Sequence, residues 1–442
     1  MRVGVIGGGA AGLAAGYELT RHGHHAEVFE RAPFLGGQAS TFDVGGARLE
    51  RAYHHLFTSD QDMMGLMGEV GLGSQLRWIE SKVGIFCQDR IWPFVTPGDL
   101  LRFRPLSLVD RVRLGLVTLR LQRRREWRSL EGQTAAQWVL KHVGRGPYDV
   151  VLGPMLRGKF GEYHDQVSMV WLWNKFALRV TSRGKGLRGM QKERLGYPMC
   201  SFGAVFDEVG RRIVQAGGEV HTGASVERVV QEEGRATGLE VRLGDGEPQR
   251  REYDAIIATV PSYVFPRLVP GLPEGYLSRL RDVTYLAAVL VVLVLDRPLT
   301  STYWLNIADR SIPFVGVIEH TNLVGPEHYG GKHVVYIANY LSRGHPLYQK
   351  GREELLEEYL PHLRRLNPEF QREWIQEYYY HREDAAQPVI TTYYSRRIPD
   401  HRTPIPRLYL ANTTQIYPED RGTNYSVRLG RRVARMVLED LG

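Results

Sequence analysis

Residues able to do chemistry appear within a dozen positions of the first methionine. Residues 7–13 read GGGAAGL, and Gly7, Gly9 and Gly12 fit G-x-G-x-x-G, with Ala11 inside the turn. Glycines at this spacing suit a phosphate. The first makes a tight turn, the second lets the backbone approach a pyrophosphate, and the third lets a helix pack closely on a sheet. The N-terminus of such a helix offers free N–H groups to the anion. The spacing alone is common, so its context decides. RVGVI (2–6) reads as a strand, AAGLAAGYELTRHG (10–23) as a helix and HAEVFER (25–31) as a second strand. Together they form one βαβ unit. Glu30 stands at the end of the second strand, where a carboxylate accepts from a ribose hydroxyl. These features together read as a dinucleotide site.

The elements that must position this site lie far apart in the chain. FGAVFDEVGRRIVQ (202–215), YDAIIATVP (253–261) and PRLYLAN (406–412) carry α/β patterns like those at the start. Residues 97–190 instead carry helical periodicities and basic runs, among them SLVDRVRLGLVTLRLQRRR and TAAQWVLKHV. Residues 283–341 are rich in strands, and GREELLEEYLPHLRRL (351–366) reads as a charged helix. The expectation is an α/β protein with a discontinuous, doubly wound Rossmann-like domain over 1–80, 195–265 and 395–442. A helical insertion occupies 81–194, and a mixed sheet with a helix occupies 266–394. The longest apolar run, VTYLAAVLVVLVL (283–295), is shorter than the roughly 20 residues a membrane span needs and reads as a buried strand.

Beyond Glu30 the residues resemble a known family. ERAPFLGGQAST (30–41) is similar to the second flavin motif of the amine-oxidase superfamily. That superfamily includes protoporphyrinogen oxidases, carotenoid desaturases, flavin monoamine oxidases and UDP-galactopyranose mutases. The resemblance implies FAD, held non-covalently, with Glu30, Arg31, Gly36, Gly37 and Gln38 around its pyrophosphate and ribityl chain. Gln38 stands where many members have arginine. GASVERVV (223–230) places Val226 where the family's strand offers backbone groups to adenine. LYLANTTQIYPEDRGTNYSVRLGRRVAR (408–435) resembles the C-terminal flavin motif, with Asn412 in place of the usual aspartate. There the helix after Gly422, near Asn424 and Tyr425, would aim its positive end at the flavin.

Candidate substrate residues follow from both sources. LERAYHHLFTSDQDMM (49–64) is similar to the mutases' G-P-H-x-F-H-T stretch. His55 matches the mutase histidine, His54 is its neighbour one position away, and either is read as a proton acceptor near the flavin. PMLRGKFGEYHDQVSMVWLW (154–173) resembles the family's helical substrate segment, so Arg157 and Lys159 are read as partners of an anionic substrate. Trp92, in RIWPFVTPGDLLRF, is placed at the border of the cavity. Glu319 and His320 are an adjacent acid and base in an apolar strand, and Tyr393 is one of several tyrosines suited to a flavin pocket. His22, His24 and His25 match no metal spacing, and no metal is expected.

Composition narrows the classes further. Apolar residues make up 43% and charged residues 24% of the 442, an ordinary globular balance. Two cysteines, Cys87 and Cys200, exclude a disulfide framework and suit a reducing cytoplasm. The net charge of +8 gathers in LRLQRRREWR (119–128) and GLRGMQKER (186–194). These clusters lack a nucleic-acid reading module and suit an anionic substrate or peripheral contact with an anionic membrane. The resulting expectation is an FAD-dependent oxidoreductase that moves a hydride from a C–H or C–N centre to flavin N5. The alternative is a mutase-like flavoenzyme that rearranges a nucleotide sugar with no net redox change. A flavin-bearing docking protein is the third reading.

Overall fold

The computed structural model describes residues 1–181 and 193–442. Most of the basic stretch 186–194 therefore lies outside the described residues. A five-stranded parallel sheet is built from β1 (Arg2–Ile6), β2 (His25–Glu30), β9 (Glu219–Thr222), β13 (Ala255–Ala258) and β19 (Leu408–Leu410). Its order is β19-β13-β1-β2-β9. From β1 the sheet grows to one side through β2 and to the other through β13. The C-terminal end of β1 is therefore a topological switch point, the place where α/β sheets open a ligand crevice. Helix α1 (Ala10–Arg21) follows that end and packs against α8 (Phe202–Gln215) and α10 (Thr423–Leu441).

The second large sheet has seven strands in the order β18-β14-β17-β16-β15-β6-β7. They are β6 (Val83–Cys87), β7 (Arg90–Pro93), β14 (Tyr285–Leu295), β15 (Trp304–Ile307), β16 (Gly316–Glu319), β17 (His333–Leu341) and β18 (Ile375–Pro388). The run at 285–295 is a strand, as its length suggested, and its alternation serves two cores. Leu286, Leu290, Val292 and Val294 join the large core shared with the parallel sheet. Val289, Val291, Leu293 and Leu295 face α9 (Arg352–Leu366), packing with Leu355, Tyr359 and Leu363. A strand buried on both faces needs apolar residues at every position, because successive side chains point to opposite sides.

Smaller sheets complete the framework: β10 (Ala224–Glu232) with β11 (Arg235–Leu243) and β12 (Gln249–Glu252), β3 (Thr41–Val44) with β4 (Ala47–Glu50), and β5 (Leu76–Glu80) with β8 (Arg194–Pro198). The helices between them are α2 (Gln61–Glu69), α3 (Pro97–Arg102), α4 (Leu108–Arg123), α5 (Ala135–His142), α6 (Gly153–Phe160) and α7 (Met169–Thr181). The segment read as helical thus opens with a hairpin. β6 and β7 are joined by Gln88 and Asp89, both at positive φ (54° and 50°), the conformation that a tight hairpin turn requires. Residues 52–60 form a loop held by one bridge, Leu56 to Gly196. Tyr393 sits in a turn at φ 52°.

Candidate active site

The glycine turn is a backbone construction. Gly7 has φ +106° and donates to Phe29 O at 2.8 Å. A Cβ on Gly12 would stand 1.9 Å from Gly7 O, inside the backbone itself, so only glycine lets α1 start this close to β1. No side chain caps α1, and its first bond runs from Leu13 N–H to Gly9 O. The amides of Ala10, Ala11 and Gly12 therefore precede the helical ladder. Gly9 and Gly36 form a parallel bridge, and Gly36 N–H donates to Gly8 O at 2.9 Å, which lays the second glycine pair on the first. Glu30 clasps the turn. One carboxylate oxygen accepts from Gly8 N–H and the other from Ala32 N–H, each at 2.8 Å.

Residues around this turn fit a dinucleotide with a flavin. The bare backbone between Gly9 and Gly37 would be filled by a side chain, since a Cβ on Gly37 would lie 3.1 Å from Gly9 Cα. Arg51 stacks its guanidinium on Phe34 at 4.5 Å, and its buried Nε has no hydrogen-bond partner among the described residues. Arg31 is exposed at the rim, and Val226 is half-buried on β10 beside β2.

A second centre is assembled from side chains of distant segments. Tyr340 on β17 is its hub. Its hydroxyl lies 3.1 Å from Lys159 Nζ on α6, 3.1 Å from Arg421 Nη2 and 3.3 Å from Tyr53 Oη. Arg421 also donates to Gln387 Oε1 at 3.1 Å and to Gln38 Oε1 at 3.4 Å, and Gln38 Nε2 donates to Ala385 O. The neighbouring Asp420 pairs with Lys175 Nζ at 2.5 Å. Burial opposes ionisation of Tyr340, yet the charges of Lys159 and Arg421 pull its hydroxyl below the ordinary tyrosine range. Burial, with Tyr340 beside it, raises Tyr53. Burial also lowers Lys159, and the Arg421 charge adds to that. Asp420 is buried, but Lys175, Lys159 and Arg421 hold it far below the usual carboxylate range. Glu383, which also feels Arg421, is pushed up by burial. Three cations against one ionised carboxylate leave this centre positive.

The sequence-derived candidates divide between the two centres and the framework. Gln38 and Lys159 join the Tyr340 cluster. His54 feels Arg421 and Lys159, and burial first, then those charges, hold it down to about 4. Its Nδ1 lies 2.6 Å from Ala52 O, so that nitrogen carries the proton and Nε2 is left to accept. His55 turns away toward Tyr303 Oη at 3.0 Å and the Trp304 ring. Of the two histidines, His54 is therefore the one near the charged centre.

Several other candidates make contacts within the framework. The Glu319 carboxylate accepts from Leu299 N–H, Thr300 N–H and Thr300 Oγ1, which pins the loop after β14. His320 points the other way, to Tyr329 Oη at 2.8 Å, and burial pushes it down to about 3. The strand ends at Glu319 and His320 opens a 3-10 turn, so the two side chains take separate partners and form no acid–base pair. Asn412 spends its side chain on Thr414 N–H, Val260 O and Ser262 Oγ, joining the ends of β13 and β19. Asn424 accepts from Met63 N–H, Gly422 caps α10, and Tyr425 lies under Arg428. Arg157 keeps two buried guanidinium nitrogens without a hydrogen-bond partner among the described residues, near Tyr148 and Arg310. Trp92 donates to Cys87 O and packs on Phe103. Tyr393 is 45% exposed against Gly132. His25 lies near Glu27 and Glu219, but Arg251 and Tyr253 already bind Glu27.

Tyr53, Tyr340, Asp420 and Arg421 were not singled out from the sequence. Their one signal is a charged pair, Asp420-Arg421, written directly before the Gly422 cap.

Comparison with known proteins follows the same lines. A family model described as flavin containing amine oxidoreductase matches residues 10–438. A probable zeta-carotene desaturase of Synechococcus elongatus is 36% identical over 72 residues, 16% of this chain and 15% of that protein. The mitochondrial protoporphyrinogen oxidase of Nicotiana tabacum is 25% identical over 181 residues, 39% of this chain and 36% of that protein. The matched stretches thus span well under half of these curated relatives. A putative protoporphyrinogen oxidase from Exiguobacterium sp. 255-15 superposes with a TM-score of 0.77 at 18% identity, covering 99% of both chains. Reduced UDP-galactopyranose mutase superposes with a TM-score of 0.75 at 16% identity, covering 99% of this chain and 95% of that one. These likenesses show a shared mixed α/β fold. The chain belongs to the family of flavin containing amine oxidoreductases, and a flavin is the cofactor which that family implies.

Proposed function

We propose that this protein is an FAD-dependent oxidoreductase acting on an anionic or neutral organic donor. FAD is held without a covalent bond, by Gly7, Gly9, Ala11, Gly12, Glu30, Gly36 and Gly37 at its pyrophosphate and ribose end. When bound there, FAD supplies a two-electron acceptor that takes a hydride from a C–H or C–N centre of the donor. The observation that carries the donor class is the positive surplus around Tyr340. A protonated amine would be repelled by Lys159 and Arg421, whereas a carboxylate or phosphate would be attracted. Lys159 Nζ and Arg421 Nη2 favour the phenolate form of Tyr340 before the reaction. That phenolate oxygen accepts the proton that donor oxidation releases and becomes the neutral phenol. The aromatic rings of Tyr53 and Trp304, with centroids 4.9 Å apart, line this side of the centre.

The same cations would also bind the diphosphate of a nucleotide sugar, and His54 and His55 stand in a stretch resembling the mutases. One experiment separates the two readings. The yellow protein is mixed anaerobically with porphyrinogens, carotenoid precursors, amines and UDP-galactopyranose. Bleaching of the flavin band by an anionic or neutral donor supports the oxidoreductase. Bleaching by a protonated amine alone overturns the donor class. Turnover of the nucleotide sugar only after dithionite reduction makes the protein a mutase.

A further inference from the structure

Away from the flavin motifs, exposed apolar side chains concentrate on one element. Six of the nine strongly exposed large apolar residues among those described are Leu101, Leu108, Val109, Val112, Leu116 and Leu119. Leu101 lies in the last turn of α3 and the other five lie on α4. An α-helix turns about 100° per residue, so the five fall within an arc of roughly 100°. Leu114 and Leu121, on the other side, are buried in the protein. The helix is thus apolar on two faces, and only one of them is covered. α3 lies alongside, since Arg111 Nη1 donates to Leu101 O at 2.6 Å and Nε donates to Leu106 O at 2.8 Å.

The border of the uncovered face is basic. Arg113 and Arg120 flank it on one side and Arg111 on the other, while Arg123 continues it toward Arg124 and Arg125. Arg111, Arg113, Arg120 and Arg123 form no ion pair with any described residue. The one acid of α4, Asp110, accepts from its own cap, Ser107 Oγ, at 2.8 Å. An apolar stripe framed by arginines that have no acidic partner among the described residues is the pattern of a helix lying in a lipid–water interface. There the stripe enters the acyl boundary and the guanidinium groups reach anionic headgroups. A second copy of this chain would set the two arginine borders against each other, and like charges disfavour that arrangement. No helix among the described residues is long and apolar enough to cross a membrane.

We infer that α3 and α4 form an interfacial anchor that lays this protein on an anionic lipid bilayer. The inference stands apart from the proposed redox chemistry and is tested without it. Purified full-length protein is floated with phosphatidylcholine vesicles with and without phosphatidylglycerol. The expected result is at least about tenfold stronger association when phosphatidylglycerol is present at low salt, weakening as salt rises. Val112→Glu combined with Leu116→Glu abolishes flotation while the melting temperature and the flavin absorbance stay at wild-type values, because both positions face solvent. Arg120→Glu combined with Arg123→Glu removes the preference for phosphatidylglycerol and serves if the first variant misfolds. Absence of flotation at low salt overturns the inference, as does equal flotation of wild type and both variants. A wild-type dimer that the Val112→Glu, Leu116→Glu variant turns into a monomer also overturns it, by assigning the face to a second copy.

Discussion

The glycine cradle and the Tyr340 cluster are built from different materials. Gly7, Gly9, Gly12 and Glu30 come from one strand–helix–strand unit, and their work is done by backbone amides and one carboxylate. Tyr53, Lys159, Tyr340 and Arg421 come from four segments spread over most of the chain, and their work is done by side chains alone. A backbone site tolerates no added atom. A side-chain site tolerates substitution, but its charge balance changes with every replacement. The first therefore suits a constant cofactor and the second a donor that differs among relatives.

The contrast is broken most severely at Gly12. Gly12→Ala puts a methyl within 1.9 Å of Gly7 O, so the strain is about 3 kcal/mol and flavin per polypeptide, read from absorbance, falls close to zero. Full flavin content in this variant would refute the cradle. Arg421→Gln comes next. It keeps the yellow colour but lowers kcat/KM by about 100-fold, the scale of one lost electrostatic stabiliser. Loss of colour instead would move Arg421 into the cofactor site.

Glu30→Ala should weaken flavin binding by about 1–3 kcal/mol, because two backbone N–H groups lose their acceptor. Equilibrium dialysis of FAD measures it, and the turnover of the fully loaded enzyme should be unchanged. Tyr53→Phe is the mildest change. Removing one 3.3 Å hydrogen bond costs about 1 kcal/mol and leaves the pH profile shaped by Tyr340 in place.

A further prediction concerns stability and keeps clear of both centres. Burial pushes Glu50 up to about 7, while Tyr197 Oη and Phe202 N–H donate to its two oxygens. Its folded value lies above the ordinary 4.5, so the stability it contributes is present at low pH and is lost between pH 4.5 and about 7. His54, pushed down to about 4, acts in the opposite sense over much of the same window. Glu50→Gln should therefore make stability rise more steeply with pH there, by roughly 3 kcal/mol across the window. Urea midpoints at a series of pH values would show it, and parallel curves for wild type and variant would refute it.

The cradle was legible because its signal is local: strand, glycine spacing, helix and carboxylate occur in one run of sequence. Lys159 and Gln38 were legible through motif resemblance. Tyr340 was not, because a tyrosine in the apolar strand HVVYIANYL looks like packing, and only the β17 register puts it opposite Lys159. Arg421 stands one residue before Gly422, whose place at the start of α10 is legible as a helix signal. Adjacency of Glu319 and His320 looks like partnership in the sequence, whereas the strand ends at Glu319 and the turn opened by His320 sends the two side chains to separate partners. Asn412 stands at the end of β19, where its side chain also clamps the chain through Val260 O, Ser262 Oγ and Thr414 N–H.

The double-sided strand β14 has a consequence for how such a protein diversifies. Tyr336, Ala338 and Tyr340 of β17 lie with Leu290 and Val292 on the face toward the nucleotide half, while Val335 and Ile337 lie with Val291 and Leu293 against α9. The sheet is a bulkhead between two compartments. One compartment holds the Tyr340 cluster, where we propose that the donor binds, and the other holds the packing that keeps the bulkhead upright. Odd and even positions along the same strands therefore answer to separate pressures, so the chemistry admitted on one side can drift while the mechanical support on the other stays fixed.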